Sequence, residues 1–177
     1  MDNASARPPN SAPAFMVYCP RCATPLVTRP VSDKLRRVCP ACGYIHFTDP
    51  KVGVGVLVVH EGRVLLVRRA VRPEIGKWSI PAGFLDQGED PQVTAVREAQ
   101  EETGLQVTID HLLDVYYTPP SGSGGASVFI LYRATLVGGQ LRPGDDADEA
   151  GFFRLDNLPE LAFASTRDAI RRLGGNA

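Results

Sequence analysis

Three carboxylates stand at helical spacing in this chain: Glu98, Glu101 and Glu102 occupy positions i, i+3 and i+4. On a helix of about 3.6 residues per turn these share one face, where they repel one another unless a cation sits between them. An oxygen-only set suits a hard divalent ion, magnesium or manganese, better than zinc. A second set is sulfur. Cys19 and Cys22, then sixteen residues, then Cys39 and Cys42 form two Cys-x-x-Cys pairs. Each pair makes a tight turn that aims two thiolates at one tetrahedral ion, and four sulfurs close the shell of a structural zinc. A closed shell leaves no position for water or substrate. Paired motifs of this kind point to metal binding in a reducing compartment rather than to disulfides.

The elements that carry these groups follow from the rest of the chain. Its 177 residues are enough for one domain of ordinary size and a small accessory module. The expected division is an unstructured Pro/Ala/Ser/Asn-rich tail over 1–14, a zinc ribbon over 15–48 and a larger domain over 49–177. The formal net charge of −1 gives no global field for nucleic acid; Arg29, Lys34, Arg36 and Arg37 are the one dense basic cluster. No apolar run approaches the roughly 18 residues of a membrane helix, and the first fourteen residues lack the apolar core of a secretory signal. The expected location is cytoplasmic.

Within 15–48, the run LVTRPVSDKLRRV has two short extended stretches around a Ser-Asp turn, as a ribbon requires. Lys51 to Arg69 alternates apolar residues on either side of Glu61-Gly62, which predicts paired strands. Gly53 and Gly55 inside the first strand mark a close approach of backbone or ligand. Asp90 and Pro91 predict a helix start and Gly104 its end, with Val93 and Val96 as the apolar stripe opposite the acids. Leu105–Tyr117 and Ser127–Val137 read as strands around a Pro/Gly/Ser-rich loop over 118–126. Phe152–Leu155 reads as a further strand, Asp156 as the start of a helical turn, and Ser165 or Thr166 as the cap of a last helix. Strands with two substantial helices predict an α/β fold, a mixed sheet with helices on both faces.

The stretch from Gly83 to Leu105 resembles the Nudix box along its whole length. Gly83, Glu89, Arg97, Glu98, Ala99, Glu101, Glu102, Gly104 and Leu105 fill the nine places of that pattern, with Ala99 small for its apolar position. The resemblance implies a Nudix α/β/α sandwich preceded by the ribbon, and hydrolysis of a nucleoside diphosphate linked to another group. It further implies that Glu98, Glu101, Glu102 and the Gly83 carbonyl hold catalytic magnesium or manganese. Arg97 would fix the carboxylates by ion pairing, with Glu89 supporting them. An acidic residue of a later loop often joins such sites, and Glu149 is the candidate among 145–149.

Zinc-ribbon members that cleave NADH carry an SQPWPFP-like segment after the box, which is missing here. KWSIPAGFLDQGED, following a ribbon that ends GYIHFTDPKVGVG, resembles members acting on ADP-ribose and FAD, as does LAFAS at 161–165. The resemblance therefore points to ADP-ribose or FAD, with AMP as one product, and leaves an NADH pyrophosphatase or a non-catalytic nucleotide sensor as alternatives. Phe15, Tyr18, Phe47, Trp78, Phe84, Tyr116 and Tyr117 are the aromatic residues available for stacking on a base or flavin, and Trp78 and Phe84, which flank the box, are preferred. A homodimer is expected by the same resemblance, and nucleic acid is not the expected partner.

Overall fold

The computed structural model describes residues 16–120 and 125–174. The tail expected over 1–14, Phe15 and the centre of the 118–126 loop lie outside the described residues. The chain divides into two units between Asp49 and Pro50. Among the described residues no helix is long and apolar enough to cross a membrane.

The first unit is built on its cysteines. Strands β1 (Val27–Val31) and β2 (Lys34–Val38) pair antiparallel around Ser32-Asp33, and β3 (Ile45–His46) adds to β2. In each knuckle a backbone N–H folds back onto the first cysteine: Ala23 donates to the Cys19 carbonyl and Gly43 to the Cys39 carbonyl. The N–H groups of Arg21 and Cys42 point at the sulfurs of Cys19 and Cys39, both at 3.4 Å. The Sγ atoms lie 3.6 Å apart for Cys19–Cys42, 3.5 Å for Cys22–Cys39 and 3.6 Å for Cys22–Cys42. Four sulfurs at about 2.3 Å from a tetrahedral zinc stand about 3.8 Å apart, so the cage is already the size of the ion. Among the described residues, the core of this unit is Cys19, Cys39 and Leu26 with the partly buried Met16 and Tyr44 packed against them. A core so small does not by itself offset the entropy of ordering the segment, and a metal ion in the four-cysteine cage would supply the difference.

The second unit is a mixed sheet covered on both faces. Its strands are β4 (Lys51–His60), β5 (Arg63–Arg69), β6 (Trp78–Ser79), β7 (Ala82–Phe84), β8 (Leu105–Thr118), β9 (Ser127–Gly139) and β10 (Ala147–Arg154). They run in the order β10-β5-β4-β9-β8, with β6 on β5 and β7 on β4. β4 and β9 are parallel and the other pairs antiparallel. Glu61 and Gly62 both take positive φ, as the two-residue turn between β4 and β5 requires. Helix α1 (Pro91–Thr103) and helix α2 (Ala164–Gly174) cover opposite faces, and the period of two in the strands shows it. Val54, Val56, Val58 and Leu65 pack with Ala95 and Ala99 of α1, whereas Leu57, Val64 and Leu66 pack with Ala169 and Ile170 of α2. This is the α/β sandwich that the sequence implies.

Helix α1 begins and ends where its residues dictate. The Asp90 carboxylate accepts from the N–H groups of Gln92 and Val93, Pro91 fills the first turn, and Gly104 ends the helix at φ 69°. α2 opens at Ala164, before the expected Ser165 or Thr166. The expected helical turn at Asp156 is a non-helical turn closed by the Asn157 N–H on the Arg154 carbonyl. The close approach expected at Gly53 and Gly55 is that of Pro81-Ala82 and Phe129. A Cβ on Gly55 would lie 2.8 Å from the Pro81 carbonyl oxygen, the Ala82 Cβ and the Phe129 ring alike.

Two outcomes follow. Purified protein should hold about one tightly bound zinc per chain, and Cys39→Ser should lose it together with the protease resistance of residues 16–49; equal zinc in both proteins would remove the cage. Gly55→Ala should destabilise the second unit by roughly 1–3 kcal/mol through overpacking, read by urea unfolding, and an unchanged midpoint would contradict the crowding.

Candidate active site

Two acids of α1, Glu98 and Glu102, lie on the side of the helix that faces the sheet, and Glu101 stands exposed beside them. The buried residues are Thr94, Ala95, Glu98, Ala99, Glu102 and Thr103, while Val93 is 67% exposed. This corrects the apolar stripe at Val93, whereas Val96 is partly buried and packs against the core. The cause is size: Ala95 and Ala99 let the helix sit close, and β7 offers Gly83 at the point of contact. A Cβ at Gly83 would lie 2.1 Å from the Glu98 carboxyl carbon. Any other residue there would push the carboxylate out of its seat.

Burial sets the protonation of these groups. Glu102, 4% exposed, accepts a 2.9 Å hydrogen bond from the Ala82 N–H. Loss of water pushes its pKa up to about 8, against the lowering effect of that N–H. Glu98 is raised by the same burial, which outweighs the Arg97 guanidinium beside it. Arg97 braces the cluster: its guanidinium lies 3.0 Å from Glu98, 2.6 Å from Glu101 and 3.6 Å from Glu89. Glu89 in turn accepts from the Asp86 N–H at 2.9 Å and the Thr94 hydroxyl at 3.2 Å. The Asp86 N–H is the first cause that holds the Glu89 carboxyl below its usual range, and Thr94 and Arg97 add to it.

A further acid comes from the segment after β9. The Arg142 N–H donates to the Thr103 carbonyl and the Gly144 N–H to the Glu102 carbonyl, so this segment satisfies carbonyls that the end of α1 leaves open. The approach is close enough that a Cβ on Gly144 would lie 2.5 Å from the Glu101 carbonyl oxygen. Asp145 follows at φ 48° and brings a carboxylate oxygen to those of Glu98 and Glu101, all within 4.8 Å of one another. Oxygens around magnesium stand about 3–4 Å apart, so small side-chain rotations close this set on a divalent ion. Glu102 stands beside the set, held by Ala82.

Glu149 is not in this group. It lies on β10 opposite Arg68, whose guanidinium binds it at 2.7 Å and Asp148 also at 2.7 Å. Asp145 occupies the place expected for it. Four acids within 145–149 gave no basis in sequence for choosing among them; the signal available was Gly144 directly before Asp145.

The carboxylates open on a cleft of about 800 Å³. Glu98, Glu102 and Asp145 form its acidic end, Arg69 and Arg72 stand on one wall, and Phe84, Tyr116, Tyr117, Phe129 and Phe163 supply aromatic surface. Phe84 is 60% exposed, with the Lys51 ammonium 4.7 Å from its ring centre. Trp78 does not line the cleft. It is buried edge-on against Phe153 at 4.6 Å between centroids. Its backbone accepts from the Ala162 N–H and donates to the Glu160 carbonyl, which seats the segment carrying Phe163 on the cleft wall. Sequence reasoning missed Arg69, Arg72 and Phe163, which chain distance hides.

A model of the NUDIX domain matches residues 49–173 of this chain. An ADP-ribose pyrophosphatase of Methanocaldococcus jannaschii is 40% identical over 120 residues, 68% of this chain and 69% of that one. A NAD-capped RNA hydrolase NudC of Chromobacterium violaceum is 33% identical over 147 residues, 81% of this chain but 52% of its own length. The chain therefore spans about half the length of that relative. Among solved structures, a NUDIX hydrolase from Nitrosomonas europaea superposes with a TM-score of 0.82 at 33% identity, covering 91% of this chain and 92% of that one. With the acidic helix, its glycine contact and the sandwich that holds them in place, the chain belongs to the NUDIX family of hydrolases.

Proposed function

We propose that the protein hydrolyses the phosphoanhydride bond of a nucleoside diphosphate linked to X, with ADP-ribose or FAD as substrate and AMP as one product. The observation that carries the reading is the convergence of Glu98, Glu101 and Asp145 on one point at the end of a cleft with arginine and aromatic walls. These three, with Glu102 and the Gly83 carbonyl, would hold magnesium or manganese. The bound ion supplies neutralisation of the anhydride's charge and a more acidic water. Glu98 accepts a proton from the attacking water, a role that its raised pKa favours. Water adds to one phosphorus, the bridging P–O bond breaks, and the leaving phosphate departs toward the open cleft. Arg97 and Glu89 hold the acids in place, and Arg69 and Arg72 face the phosphates. Phe84 and Tyr117 offer ring faces to the base or to the X group.

The similarity to an ADP-ribose pyrophosphatase supports the substrate class. A second reading, a nicotinamide-containing dinucleotide, draws on the similarity to NudC across 147 residues. A panel of ADP-ribose, FAD, NADH, sugar nucleotides and nucleoside triphosphates, ranked by kcat/KM, separates the two. ADP-ribose or FAD should lead; NADH at the head of the ranking would transfer the assignment, and release of AMP from none of them would end it.

Glu98→Gln should lower kcat on the best substrate by about 10²–10⁴-fold while leaving the affinity for substrate within a few-fold; retained turnover would remove Glu98 from proton transfer. The raised Glu102 also gives a pH signature. Folded, metal-free protein keeps a proton that the unfolded chain releases between its ordinary value of 4.5 and about 8. Its contribution to stability therefore falls as pH rises through that window. The Tm of the metal-free wild type should drop relative to Glu102→Gln across this range, and parallel curves would contradict the burial.

A further inference from the structure

Five residues after Gly144 hold four carboxylates, yet one of them reaches the acidic cluster. Asp145 brings a carboxylate oxygen within 4.8 Å of those of Glu98 and Glu101, and Asp146 lines the same cleft as Glu98 and Glu102, so electrostatic repulsion acts to spread this segment away from α1. Two attachments oppose that. On the helix side, the Gly144 N–H donates to the Glu102 carbonyl at 3.2 Å, and the Ala147 N–H turns back onto the Gly144 carbonyl at 3.0 Å. On the sheet side, Arg68 of β5 binds two acids at once, Nε to Asp148 at 2.7 Å and Nη1 to Glu149 at 2.7 Å. The register of β10 on β5 shifts between Ala147 and Glu149, so Asp148 is the additional residue of a bulge. A bulge re-aims side chains, and the guanidinium fixes which way these two go. Asp145 between the attachments keeps a positive φ that a β-carbon disfavours.

We infer that Arg68 is a positioning residue for the metal site: by holding Asp148 and Glu149 against β5 it keeps those two acids away and presents Asp145 to Glu98 and Glu101. The inference rests on the metal-binding reading above and is independent of which nucleotide is cleaved. The ion-pair partners of Arg68 among the described residues are Asp148 and Glu149, neither of them a member of the Glu98, Glu101 and Asp145 set. Its partners are about half exposed, and exposed ion pairs add little to stability, so variants at this position should fold.

The sign of the effect separates positioning from charge. Removing a cation near an acidic site should by Coulomb attraction alone tighten the binding of a divalent ion. Positioning gives the opposite result. The experiment is the affinity for Mn²⁺, measured by electron paramagnetic resonance on zinc-loaded, otherwise metal-free protein without nucleotide. Wild type, Arg68→Met, Asp145→Asn and the double variant form one cycle. Arg68→Met should weaken Mn²⁺ binding about tenfold, as loss of a group that orients a ligand does. The double variant should bind no more weakly than Asp145→Asn alone. The pair Asp148→Asn/Glu149→Gln, which removes the charges that Arg68 grips, should again add little in the Asp145→Asn background. Unchanged or tighter Mn²⁺ binding in Arg68→Met overturns the inference, as does a loss that adds in full to that of Asp145→Asn. Should Mn²⁺ binding follow this pattern while ADP-ribose and FAD both stay intact, the positioning role stands and the substrate assignment fails. Should AMP be released from either compound while Arg68→Met binds Mn²⁺ like the wild type, the substrate assignment stands and the positioning role fails.

Discussion

The structure depends on two carboxylates that are taken out of water with one guanidinium for the two of them. Glu98 and Glu102 lie 8% and 4% exposed between α1 and β7, where an isolated ionised carboxylate is strongly disfavoured. One hydrogen bond from Ala82 and one guanidinium from Arg97 offset part of this. The remainder appears as raised pKa values, a cost that a divalent ion held there would relieve. A helix built for stability alone would turn such residues to solvent. This one turns them inward, and the small residues Ala95, Ala99 and Gly83 exist at the contact because nothing larger admits the carboxylates.

The remaining architecture can be read as support for that contact. β4 gives up side chains at Gly53 and Gly55 so that Pro81 and Ala82 can cross it and bring Gly83 to the helix. The end of α1 recruits the segment that carries Asp145 by leaving carbonyls for Arg142 and Gly144 to fill. Trp78, by its backbone bonds to Glu160 and Ala162, places Phe163 on the cleft wall. The ribbon stands apart in its energetics: its few apolar residues leave folding to the four sulfurs.

Local features were legible in the sequence, and those that depend on tertiary contact were less so. The ends of α1 are written in Asp90, Pro91 and Gly104 because capping is a matter of neighbouring residues. The cysteine cage is written in two Cys-x-x-Cys turns for the same reason. The orientation of α1 was misread at Val93, which looks like part of a core stripe until the sheet shows that alanines and glutamates, with Val96 at their edge, are what fit beneath it. Glu149 was preferred over the other acids of its loop because the strand register, which delivers Glu149 to Arg68, is set by a bulge with no sequence mark. Trp78 was assigned to the cleft by its nearness to the box along the chain, whereas a strand alternates faces and sent it into the core.

The central claim is that the buried acids of α1 form a divalent-metal site whose occupation relieves their burial. Calorimetric titration of metal-free protein with Mn²⁺ at pH 7, in two buffers of different ionisation enthalpy, tests it most directly. With Glu102 near a pKa of about 8 before binding, the account predicts release of about one proton per chain, lost in Glu102→Gln. Binding with no proton release, or no binding at all, would contradict it.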